Sequence, residues 1–131
     1  VKGNNEFDVS IPGEIVSTSD FYSYEAKYID KLATKLQIPA DLNENEIKNI
    51  KKIALKTAKI LELKGLVRID FFFTDKRIIV NEVNTLPGFT EISMYPKLWI
   101  HEGISYSNLI DELINLATEN FKEQSVLKST L

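Results

Sequence analysis

The sequence predicts an α+β fold in which an antiparallel β-sheet carries helices packed on one face. Two segments have apolar residues at helical spacing, and between them two runs rich in Phe, Ile and Val are joined by a short polar turn. The chain has 131 residues, 44% of them hydrophobic, without an internal repeat or a low-complexity linker. That length and composition predict one domain, residues 1–131, with a sizeable core.

In chain order, "VSIPGEIV" (Val9–Val16) reads as a short strand with a Pro-Gly turn or bulge inside it. The next stretch, Ser17–Leu42, is aromatic and charged with no clean period, and Pro39 opposes helix near its end. It reads as a long ordered loop plus a short edge strand, and loops of that length in compact domains are often lids or binding loops. Glu44–Leu63 is the clearest helix, with Ile47, Ile50, Ile53, Ala54, Ala58 and Leu61 at helical spacing and lysines between. Asn43 and Glu46 have the spacing of a capping box, and Gly65 suits a C-terminal stop. A second amphipathic helix is expected from about Ser107 to Phe121, followed by "KEQSVLKSTL" as a fraying tail.

Composition excludes several classes. A net charge of −3 argues against a nucleic-acid or anionic-membrane surface. No apolar run is long enough to span a bilayer, and no basic-then-apolar signal segment opens the chain. With no cysteine, a disulfide scaffold and a thiolate zinc site are both excluded. A soluble cytoplasmic protein is expected. The chain starts at Val1 without an initiator Met, and "VKGNNEFDVSIPGEIV" reads like a mid-domain segment.

The stretch "RIDFFFTDKRIIVNEVN" (Arg68–Asn84) reads as a hairpin interrupted by polar residues. A three-residue loop, Asp75 to Arg77, would pair Thr74 with Ile78, Asp70 with Glu82 and Arg68 with Asn84. Side chains alternate along a strand, so those four polar residues would share one face with Phe72 and Val80. Ile69, Phe71, Phe73, Ile79 and Val83 would form the other face and pack on the helices. A two-residue turn would change the parity and separate Asp70 from Glu82. Opposed carboxylates repel, and two readings stay open for what offsets this. One is a solvated face on which Arg68 neutralises its neighbours. The other is a hard divalent cation held by Asp, Glu and Asn oxygens, with Arg68 serving charge on a reacting group.

Directly after Asn84, "NTLPGFT" (Asn84–Thr90) turns through Pro87-Gly88, where glycine lets a backbone N–H approach a ligand closely. Together, "GLVRIDFFF", "NEVNTLPGFTEISMYPKLW", "FYSYEAKY" (Phe21–Tyr28) and "GISYSNLIDELINLA" resemble the C-terminal part of D-alanine–D-alanine ligases of the ATP-grasp superfamily. The resemblance covers nearly the whole chain and makes residues 17–42 the counterpart of the family's active-site ω-loop region.

The resemblance implies roles residue by residue. Asp70, Glu82 and Asn84 match magnesium (or manganese) ligands between ATP phosphates. Arg68 and the N–H of Gly88 match the groups that stabilise a tetrahedral oxyanion. Ser93 and Met94 fall where the carboxylate of a second D-alanine binds, Met94 through its backbone. Lys27 and Tyr28 match the ω-loop pair that closes over the substrates, Phe21 a side chain near adenine, and Asn81 with Glu82 the nucleotide pocket. Tyr22-Ser23 departs from the loop's usual Tyr-Asp. Taken singly, Tyr22, Tyr24 and Tyr28 read as loop packing, Lys27 as a solvated lysine and Ser93 as a turn residue. His101 reads as a helix-flanking surface residue, and Tyr95 and Trp99 as packing residues.

The implied activity is ATP-dependent joining of two D-alanines through an acyl phosphate, for peptidoglycan precursors, in a homodimeric enzyme. Water must be kept from the acyl phosphate, which gives the Tyr-rich loop a purpose. No Gly-rich phosphate loop and no strand with phosphate-binding lysines is present. The expectation is therefore the metal and second-substrate part of such a ligase, inactive alone, with the substrate domain and first ATP-grasp subdomain lying N-terminal to it. D-serine or D-lactate as acceptor, or a non-catalytic nucleotide-binding module, are the alternatives. Lys27-Tyr28 favours an amino-acid acceptor, since the family's D-lactate enzymes carry a different loop there.

Overall fold

The computed structural model describes residues 1–17, 34–74 and 77–128. Its strands are β1 (Lys2–Gly3), β2 (Phe7–Asp8), β3 (Glu14–Ser17), β4 (Thr34–Gln37), β5 (Gly65–Leu66), β6 (Arg68–Thr74) and β7 (Arg77–Asn84). Its helices are α1 (Glu44–Ile60), α2 (Met94–His101) and α3 (Tyr106–Lys128). The class is α+β with antiparallel pairing, but the expected single sheet is divided among the described residues. Strands order β2-β1-β5 in one sheet, while β3-β4 and β6-β7 form separate two-stranded ribbons. Gly3 makes the tight reversal from β1 to β2 possible: its φ is +143°, and a Cβ there would lie 2.0 Å from the Glu6 carbonyl oxygen.

Helix α1 begins as its sequence dictates. The Asn43 side chain accepts from the N–H groups of Asn45 and Glu46, while Glu46 Oε2 accepts from the Asn43 N–H at 2.8 Å. The helix ends three residues before the expected Leu63, and not at Gly65. Glu62 adopts φ +49°, its N–H reaches the Lys59 carbonyl, and the Leu63 N–H reaches the Ala58 carbonyl. This is a Schellman stop with glutamate in the position usually given to glycine. Its apolar contact is present too, since Leu63 and Ala58 share a buried cluster with Val1, Ala54 and Val67. Ile69, Phe71 and Val83 of the hairpin pack on that cluster, so α1 covers the hairpin's apolar face near its base.

Three further differences concern element limits. The expected Val9–Val16 strand is confined to Glu14–Ser17, and β4 is the edge strand anticipated in the long segment that follows. Helix α2 had no periodic signal; its apolar side chains Tyr95 and Trp99 form a second cluster with Leu109 of α3. Pro96 is tolerated there because it lies in the first turn, where its missing N–H has no intrahelical partner to lose. Helix α3 runs through the expected tail to Lys128. Beside it, Lys2 is buried between Asp8 (2.9 Å) and Glu112, with its ammonium 4.9 Å from the Trp99 ring. Among the described residues no helix is long and apolar enough to cross a membrane.

Candidate active site

The hairpin brings the polar residues together by a route different from the expected one. Thr74 pairs with Arg77, not Ile78, so only two residues separate the strands. That turn would put Asp70 and Glu82 on opposite faces, but a bulge between Asp70 and Phe71 on one side and Val80 and Glu82 on the other restores the parity. Asp70 then faces Glu82 and Arg68 faces Asn84, as anticipated. Asn81 is the extra residue of the bulge, exposed and unmatched across the ladder. Beyond the bulge the faces exchange: Ile79 pairs with Phe72 on the polar face, and Val80 pairs with Phe71 on the other. Phe73 and Ile79 were expected against the helices but are exposed: Ile79 has moved to the polar face, and Phe73 lies beyond the hairpin residues that pack on the core cluster.

Arg68 accounts for the tolerance of two opposed acids. Its Nε donates to Asp70 Oδ1 at 2.8 Å and its Nη2 to Asp70 Oδ2 at 3.0 Å, a two-pronged charge-assisted pair. The same Nη2 lies 3.7 Å from Glu82 Oε1. The Asp70 side chain is 29% exposed and that of Glu82 54%, so both acids remain reachable from solvent. Asn84 Oδ1 accepts from the Leu86 N–H at 3.1 Å, which starts the turn into the following loop. Two carboxylates and an amide, all oxygen donors, suit Mg²⁺ or Mn²⁺ rather than a softer metal. No cluster of three or more His, Cys, Asp or Glu able to hold a metal occurs among the described residues. Mg²⁺ held by few carboxylates usually completes its shell with water and substrate phosphate.

The loop carries Gly88 to Ser93 and Met94. A Cβ on Gly88 would lie 3.0 Å from Ser93 Oγ, so glycine is what lets these two residues meet. Ser93 Oγ accepts from the Thr90 N–H at 3.0 Å and lies 2.9 Å from Thr90 Oγ1. The Met94 side chain turns away from the loop, with its Sδ 2.8 Å from where a Cβ on Gly13 would stand. Behind the loop, Tyr106 donates to the Phe89 carbonyl at 2.9 Å, and the Phe89 ring lies between those of Tyr106 and Tyr95, at 5.4 and 5.9 Å. Burial pushes the Tyr95 hydroxyl well above its ordinary pKa, so it stays a neutral donor to the Val1 carbonyl at 3.2 Å.

Comparison with known proteins decides the family. The family model described as "D-ala D-ala ligase C-terminus" matches residues 1–115. The chain belongs to that family. It is 54% identical over 131 residues to a protein from Oceanobacillus iheyensis named D-alanine--D-alanine ligase, covering 99% of this chain and 36% of that one. The solved D-alanine-D-alanine ligase of Coxiella burnetii is 37% identical with a TM-score of 0.83, covering 98% of this chain and 33% of that one. The VanG D-Ala:D-Ser ligase of Enterococcus faecalis is 38% identical with a TM-score of 0.76, covering 88% of this chain and 34% of that one. The chain spans about a third of the length of the curated relatives it matches. These neighbours agree with the fold expected from the sequence, the C-terminal part of an ATP-grasp domain.

Within this D-ala D-ala ligase C-terminus fold, two groups of anticipated site residues assemble. Arg68, Asp70, Glu82 and Asn84 share one hairpin face, and Gly88 and Ser93 meet in the loop that leads to Met94. Phe21, Lys27 and Tyr28 lie outside the described residues. His101 ends α2 exposed, in keeping with a surface role. Sequence reasoning missed Thr90, Phe89 and Tyr106, which fix the loop; the Thr-x-x-Ser spacing of "TEIS" was the one local signal available.

Proposed function

We propose that the full-length protein containing this chain is a cytoplasmic D-alanine–D-alanine ligase. It would join two D-alanines at the expense of ATP, through an acyl phosphate, for peptidoglycan precursors. The observation that carries the reading is the shared face of Arg68, Asp70, Glu82 and Asn84, continuous with the Gly88–Ser93 contact. Asp70, Glu82 and Asn84 would hold Mg²⁺ or Mn²⁺, which supplies charge neutralisation at phosphoryl oxygens when bound. Asp70 and Glu82 also pair with Arg68, so a bound cation would share these carboxylates with the guanidinium. Arg68 and the Gly88 N–H would stabilise the oxyanion formed when the second D-alanine's amino group attacks the acyl carbon. Ser93 and the Met94 backbone would hold that second D-alanine by its carboxylate. Asn81 and Glu82 would line the nucleotide pocket, and Asn81's place in the bulge suits this because a bulge re-aims its side chain. Phe21 would pack near the adenine, and Lys27 and Tyr28 would close over the substrates. The working enzyme is proposed as a homodimer.

A D-serine acceptor is a second reading, supported by a sequence identity to the VanG ligase of 38% against 37% for the Coxiella enzyme. The test is ADP formation with ATP and Mg²⁺ on the full-length protein and on these 131 residues, offering D-alanine alone or with D-serine or D-lactate. D-alanine stimulation in the long form and silence in the short one is the expected result. Mixed-dipeptide formation in preference to D-alanyl-D-alanine would move the assignment to the D-serine class. Turnover by the 131 residues alone would overturn the division of labour proposed here.

A further inference from the structure

We propose that Thr90 is a positioning residue of the acceptor site, holding the Ser93 hydroxyl so that its one proton is offered to the acceptor's carboxylate. The inference rests on the reading of Ser93 given above. Ser93 stands at the N-cap of α2 with extended backbone (φ −72°, ψ 140°), where a serine ordinarily accepts from the helix's first N–H groups. It makes no such bond. Its oxygen is instead turned back onto Thr90, accepting from the Thr90 N–H at 3.0 Å and lying 2.9 Å from Thr90 Oγ1. The Ser93 N–H in turn donates to the Thr90 carbonyl at 2.9 Å, so the two residues form a closed turn.

A hydroxyl has one proton and two acceptor positions. The Thr90 N–H fills one acceptor position of Ser93. Between the two hydroxyls either oxygen can be the donor. A carboxylate only accepts, so binding one obliges Ser93 to give its proton outward. The remaining acceptor position then takes the proton of Thr90 Oγ1, and Thr90 becomes a double donor. That arrangement polarises the Ser93 O–H toward the ligand and fixes its direction. Gly88 leaves the space for it, and Tyr106 anchors the neighbouring Phe89 carbonyl at 2.9 Å so that the turn cannot drift.

The experiment is steady-state kinetics on the full-length protein, with D-alanine varied over ranges that separate donor and acceptor KM. Wild type is compared with Thr90→Val, which keeps the N–H and the shape, and Thr90→Ser, which keeps the hydroxyl. Thr90 is exposed, so neither change opens a buried cavity, and Thr90→Ala carries the same expectation if the valine variant does not fold. Thr90→Val is expected to raise acceptor KM about fivefold, with kcat and donor KM within about twofold of wild type. Thr90→Ser should restore wild-type values. An unchanged acceptor KM in Thr90→Val, a parallel loss in all three constants, or a serine variant as impaired as the valine one would overturn the proposal. Wild type without D-alanine-dependent turnover would instead overturn the functional reading, and the role of Thr90 with it.

Discussion

Replacing Gly88 with alanine probes the closest approach in the candidate site. The new Cβ would stand 3.0 Å from Ser93 Oγ and 3.8 Å from Ser93 Cβ, whereas ordinary contact begins near 3.4 Å. Something must yield by about 0.4 Å. Gly88 does not occupy the left-handed region, so alanine brings no backbone strain of its own. The displacement falls on Ser93 Oγ, which is held by contacts of 3.0 and 2.9 Å to Thr90. Loosening both is expected to cost about 1–2 kcal/mol, a drop of roughly 5- to 30-fold in kcat/KM for the acceptor. The assay is D-alanine-dependent ADP release by the full-length protein, run as a double-mutant cycle with Ser93→Ala. In the Ser93→Ala background the glycine change should cost little, because the oxygen it collides with is gone. An equal cost in both backgrounds would refute this reasoning, as would wild-type kinetics in Gly88→Ala.

Two expectations concern stability. Glu62→Gly removes a non-glycine residue from φ +49° at the end of α1 and is expected to stabilise by about 1 kcal/mol, read as a raised urea midpoint. Lys2→Met keeps the packed stem but leaves Asp8 and Glu112 without their shared cation; both acids are solvent-exposed, so the loss at neutral pH is about 1 kcal/mol. Burial acts to lower the Lys2 pKa, but its bonds to Glu112 and Asp8 outweigh burial and leave it raised above 10.5. The lysine's contribution is therefore full below pH 10.5 and disappears as pH rises through the higher folded value, where the denaturation midpoints of wild type and the Lys2→Met variant should converge.

What the sequence made legible was local or alternating. The capping box at Asn43 and Glu46 is a contact between residues three apart, and it formed as read. The polar hairpin face followed from strand alternation at its base, where Arg68 meets Asn84 and Asp70 meets Glu82. The bulge at Asn81 has no residue signature of its own; it corrected the parity that a two-residue turn had broken, so the right face came from the wrong turn. Helix α2 is eight residues long with a proline in its first turn, too short for periodicity to appear. The stop of α1 used Glu62, a residue with no turn preference, because Leu63 gains a place in the core. Nor could the Thr90–Ser93 and Tyr106–Phe89 bonds be read in advance, since both depend on the loop's path and on the approach of α3.

The cation site is tested most directly by Mn²⁺ binding, followed through water-proton relaxation, in the full-length protein with and without ATP. Wild type should bind Mn²⁺ in an ATP-dependent manner, and Asp70→Asn and Glu82→Gln should each weaken that binding at least about tenfold while leaving the fold intact. Equal Mn²⁺ affinity in all three proteins would show that the hairpin face is only a solvated charge cluster neutralised by Arg68.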